Sequence, residues 1–83
     1  MNKTELAEYL KKENIPNKYY SLNGGLDEGT FCLEEVHGRW QVYSVERGAM
    51  WSEHVFDKEE DVCKFFLDEI IFLNELIKKK LNE

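Results

Sequence analysis

The chain has 83 residues, which is enough for one domain over residues 1–83 with one core, and not enough for two. Seventeen acidic residues against eleven basic ones leave a formal charge of −6, which repels nucleic-acid phosphates and anionic lipid heads and favours a basic macromolecular partner. A hydrophobic content of 42%, with 13% aromatic residues, supports a real core and argues against disorder.

The opening MNKTELAEYLKKEN lacks the apolar core of a signal peptide. The most apolar run, FFLDEIIFLNELI, is broken by Asp68, Glu69, Asn74 and Glu75, so it does not read as a membrane span. The expectation is a soluble, cytoplasmic protein. Cys32 and Cys63 show neither CxxC nor Cys/His metal spacing and are expected as reduced thiols.

In chain order, NKTELAEYLKKEN predicts a short helix, with Leu6, Tyr9, Leu10 and Glu13 at three-to-four spacing. Asn2 or Thr4 is its N-cap, and Pro16 lies just past its end. Tyr19 to Leu22 predicts a brief strand closed by a turn at Asn23-Gly24-Gly25, and GLDEG reads as a loop. TFCLEEV and RWQVYSV flank His37-Gly38 as a hairpin, pairing Val36 with Arg39 and Leu33 with Val42.

Period two then puts Phe31, Leu33, Glu35, Trp40 and Val42 on a core face, with Trp40 a buried anchor. The opposite face, with Cys32, Glu34, Gln41, Tyr43 and Val45, mixes apolar groups with charges and is expected to be half exposed. A turn at Arg47-Gly48 leads into a further strand, Met50 to Phe56. Asp57 and Glu60 resemble a capping box for a long helix from about Lys58 to Lys80. Its apolar stripe is Val62, Phe66, Ile70, Leu73 and Ile77, with Lys78–Lys80 at its negative end. The fold class is therefore α+β: a short N-terminal helix, an antiparallel sheet of three to four strands in a meander, and a long C-terminal helix, both helices on one sheet face.

No chemistry-bearing constellation stands out. His37 at a turn is poorly placed to serve Cys32 as a base, and the Glu34-Glu35 carboxylates alternate to opposite faces. GGLDEG has two acids and no following helix, so it does not cradle phosphate. The ligands for a metal are not clustered, and no cofactor is implied. The expectation is a protein that is not an enzyme and does not bind nucleic acid. The apolar arc of the long helix is wide, with Phe65, Phe72 and Leu76 on one shoulder and Cys63, Leu67 and Ile71 on the other. Either the first helix covers a shoulder, or the surface serves self-association.

The strings YYSLNGG, GRWQVYSVERG and VFDKEEDVCKFFLDEI carry a pattern beyond periodicity. At Tyr20–Gly24, Gly38–Gly48 and Phe56–Phe66 the chain resembles small immunity proteins of bacterial polymorphic-toxin and contact-dependent-inhibition systems. The resemblance implies a cytosolic inhibitor that binds and blocks a cognate toxin, often a nuclease. Combined with the acidic balance, it points to a basic toxin domain met by Glu34, Tyr43, Glu46, Arg47, Trp51 and Glu53. The alternative is a small structural or regulatory module that forms a weak homodimer through the long helix.

Overall fold

In the computed structural model, which describes residues 1–81, the chain starts with helix α1, Lys3–Lys12. Asn2 and Glu5 cap it reciprocally: Glu5 N donates to Asn2 Oδ1 at 2.8 Å and Asn2 N to Glu5 Oε1 at 3.1 Å. Its end is a Schellman motif. Asn14 takes positive φ (57°) and donates to Lys11 O, while Ile15 donates to Leu10 O. Ile15 is thereby turned inward and buried with Leu6 and Leu10. A single 3-10 turn, Asn17–Tyr19, then leads into the sheet.

The strands are β1 (Tyr20–Ser21), β2 (Phe31–Val36), β3 (Arg39–Glu46) and β4 (Ala49–Phe56), in spatial order β1-β2-β3-β4. The β2–β3 register is the expected one, with Val36 opposite Arg39 and Leu33 opposite Val42. Both hairpin turns put two successive residues at positive φ, His37 (52°) with Gly38 (80°) and Arg47 (53°) with Gly48 (74°). That is the type I′ geometry whose twist matches the flanking strands. In the β3–β4 ladder, Val42 faces His54 and Ser44 faces Trp51, so Tyr43 stands opposite both Ser52 and Glu53. Ser52 absorbs this bulge with φ 55°.

The sheet is not the wholly antiparallel meander expected. β1 runs parallel to β2, pairing Tyr20 with Phe31 and Ser21 with Cys32. A parallel neighbour requires a crossover rather than a hairpin, and here the crossover is residues 22–30 without a helix. Gly24 (φ 71°) and Gly25 (φ 110°), read from sequence as a closing turn, instead route the chain over the sheet. At the far end Thr30 N donates to Asp27 O, Gly29 N to Val45 O, and Val45 N to Thr30 O. With Gly29 at φ 77°, this is a tight turn joined to a G1 bulge that feeds the chain into β2.

The crossover overturns the expected half-exposed face. Tyr43, Val45 and Cys32 form a second, fully buried cluster of their own. On the other face, Phe31, Leu33 and Val42 pack against Leu6 and Leu10 of α1 and Val62, Phe66 and Ile70 of helix α2, Glu59–Leu81. Both helices therefore lie on one face, as expected. Asp57 sits before α2, 3.7 Å from Arg39 in an exposed pair, and the first helical carbonyl is that of Lys58, accepting from Val62 N. Phe66 stacks on Phe31 (centroids 4.9 Å apart) and meets the edge of Tyr20.

Trp40 lies on the core face but is only half-buried, at the rim of the main cluster. Trp40→Ala is accordingly expected to cost about 1–2 kcal/mol, below the roughly 3–5 kcal/mol of a fully buried aromatic. Urea unfolding measures this directly, and a loss at the upper figure would mean that the rim packs as tightly as the centre.

Candidate partner-binding surface

The crossover and the β3–β4 hairpin organise the polar residues. Tyr43, placed from sequence on a half-exposed face, is fully buried and has no surface to offer a partner. Its hydroxyl is 3.0 Å from Glu34 Oε2 and 3.1 Å from Gly25 O, so its single proton serves one acceptor at a time. Burial, then the hydrogen bond to Glu34, pushes the phenol up to about 12.

Glu34 is likewise occupied. It accepts from Gln41 Nε2 at 3.2 Å as well as from Tyr43, and a Cβ on Gly24 would run into its carboxylate. The crossover itself is pinned to the sheet by Gly24 N, which donates to Leu33 O at 3.0 Å, and by the Tyr43 hydroxyl at Gly25 O. The Thr30 hydroxyl completes the pinning, donating to Asp27 O and lying 3.3 Å from Cys32 Sγ. No buried side-chain polar atom among the described residues is left without a partner.

Of the remaining four expected contact residues, Glu46, Arg47 and Trp51 gather at the β3–β4 end, while Glu53 lies farther along β4, opposite Tyr43 at the bulge. Glu46, Arg47, Trp51 and Glu53 are all exposed. Trp51 is 55% exposed, and its indole Nε1 donates to Glu46 O at 3.2 Å, which fixes the ring as a slab beside the turn. Glu28 joins them from the crossover, its Oε1 accepting from Arg47 N at 3.0 Å. Glu28, Glu46, Arg47 and Trp51 line a shallow depression.

Sequence reading missed Glu28, because nothing local links it to Arg47 nineteen positions away; only the Gly29 bulge brings it there. It also missed Val55, 58% exposed on β4, an edge strand whose residues are exposed along nearly its whole length. Acceptor-only carboxylates around a fixed indole face suit cationic side chains, which hydrogen-bond to the acids and lie over the ring.

Burial raises both Cys32 and Cys63 above the ordinary thiol value, so neither is a thiolate near neutral pH. Both are free, and they lie in different clusters. His54 lies against the Phe65 ring at 4.8 Å. Among the described residues no three His, Cys, Asp or Glu side chains are placed to hold a metal ion. No helix among them is long and apolar enough to cross a membrane. Compared with protein-family models, curated proteins and solved structures, the chain matches none.

Proposed function

We propose that this chain is a non-enzymatic inhibitor, an immunity protein that neutralises a basic bacterial toxin domain in the cytoplasm by covering its cationic surface. The observation that carries the reading is the exposed β3–β4 end: a hydrogen-bonded, outward-facing Trp51 set beside Glu28, Glu46 and Arg47 on a protein of charge −6. A rigid aromatic anchor ringed by acids is the composition of an interface hot spot for a basic partner. The motifs at Tyr20–Gly24, Gly38–Gly48 and Phe56–Phe66 support the same reading. Tyr43 acts in it only through the crossover it holds in place, and Glu34 through Tyr43.

The test is binding kinetics on the partner that co-purifies from source cells. Screening shortens the Debye length from about 30 Å at 0.01 M salt to about 10 Å at 0.1 M. Association should therefore slow steeply over that interval while dissociation changes little. Glu46→Lys with Glu53→Lys should slow association further without unfolding the protein. Reversal of Glu34 is unsuitable because it would remove the acceptor of Gln41 and of the buried Tyr43 hydroxyl. Trp51→Ala should raise the dissociation rate about 30-fold, the equivalent of about 2 kcal/mol. A salt-independent association rate, together with a double-Lys variant that still protects cells, would sink the proposal.

A further inference from the structure

The C-terminal half of α2 is only partly covered: Leu73 and Ile77 line a cleft with Tyr19, Phe31 and Ser44, and the rest of its apolar surface is open. The helix has 23 residues and is about 34 Å long, whereas β4, at eight residues, reaches only about 27 Å. Full burial stops at Ile70. Beyond it Phe72 is 61%, Leu76 44% and Leu73 37% exposed, although Leu73 continues the stripe that is buried at Val62, Phe66 and Ile70. The buried residues of α1 belong to the main core cluster, whose last α2 residue is Ile70.

The order of residues along this free segment identifies what covers it. Glu69, Leu73, Leu76 and Lys80 fall at spacings of four, three and four, within one narrow stripe of a 3.6-residue helix. That stripe is self-complementary under a twofold axis. When a second α2 is laid antiparallel, Leu73 meets the partner's Leu76, and Glu69 meets the partner's Lys80. Both pairings then occur twice, as an isologous interface demands. Glu69 and Lys80 are exposed, so neither is already committed to the core.

We infer that α2 pairs antiparallel with α2 of a second copy of this chain, the four leucines of the two stripes forming the seam and two Glu69–Lys80 ion pairs closing its ends. A segment of this length offers fewer residues than the roughly 20–30 per side of a standard interface. The dimer is therefore weak and concentration-dependent. Leu73 shares a cleft with Glu46 of the β3–β4 end, but the seam uses α2 residues alone, so the inference does not rest on the inhibitor reading.

Sedimentation velocity of the full chain across a wide concentration range is the test, with circular dichroism confirming the fold of each variant. Wild type should pass from monomer to dimer as concentration rises. Glu69→Lys alone, or Lys80→Glu alone, should weaken the dimer at least tenfold by facing like charges across the seam. The double exchange, Glu69→Lys with Lys80→Glu, should restore it, because the same pairs re-form with signs swapped. Leu76→Asp should abolish it. The inference is overturned by a wild type that stays monomeric throughout, or by single reversals that leave the dimer unchanged. A double exchange no better than the singles would overturn the antiparallel register.

Discussion

Phe66→Ala is expected to remove most of this domain's stability, at a cost of about 3–5 kcal/mol. Phe66 is fully buried, stacks on Phe31 and meets the edge of Tyr20, so its ring joins α2 to β2 and to the two-residue strand β1. No neighbour of that rigid set can collapse far enough to fill the vacated space. At roughly 0.05–0.15 kcal/mol per residue a chain of 83 residues holds only about 4–12 kcal/mol. The melting temperature should accordingly fall by about 15 °C or more, if a transition survives at all. Phe72→Ala supplies the contrast on the same helix. At a concentration that keeps the protein monomeric, its exposed ring should cost within about 0.5 kcal/mol. Equal losses at the two positions would contradict the placement of α2 on the sheet.

Alkaline pH should weaken the fold through Tyr43. Its phenol ionises near 10.0 in the unfolded chain but is held up to about 12 in the fold, where burial and the Glu34 carboxylate oppose the phenolate. Below about pH 10 both states keep the proton, and the contribution of Tyr43 is complete. Between about 10 and 12 the unfolded state loses the proton while the folded state retains it, so stability falls as pH rises. At 1.36 kcal/mol per unit the loss amounts to about 2–3 kcal/mol. The buried thiols of Cys32 and Cys63 act in the same direction, starting from about 9, because burial raises them too. Tyr43→Phe isolates the phenol. It should cost about 1 kcal/mol at neutral pH for the lost hydrogen bond, and then show a shallower decline between pH 10 and 12. Urea midpoints collected across that range measure both, and parallel curves for the two proteins would show that the phenol is not the group being protected.

The difference between Trp40 and Tyr43 shows where sequence reading reaches its limit. Strand alternation put Trp40 on the core face and Tyr43 on the other, and both assignments hold. Their burial came out the other way round from the expectation, half-buried for Trp40 and complete for Tyr43. Period two says which side of a sheet a residue takes; it does not say what lies on that side. The cover over Tyr43 is residues 22–30, whose glycines and acids read as a solvated loop. Glu34 changes meaning with it, from a surface charge to the acceptor for Gln41 and Tyr43 beneath the crossover.

Local chemistry settled what depends on near neighbours. Asn2 and Glu5 fixed the start of α1, and the His37-Gly38 and Arg47-Gly48 pairs fixed two turns and hence the β2–β3 register. The apolar stripe from Val62 to Ile70 fixed the face α2 buries. In each case the controlling interaction spans a few residues, so a short window of sequence contains both partners. The parallel pairing of β1, the closing of the second sheet face, the approach of Glu28 to Arg47 and the overhang of α2 were left to tertiary structure. Each joins segments far apart in the chain or depends on where a sheet ends beneath a helix, and no periodicity within one segment encodes a distance between two.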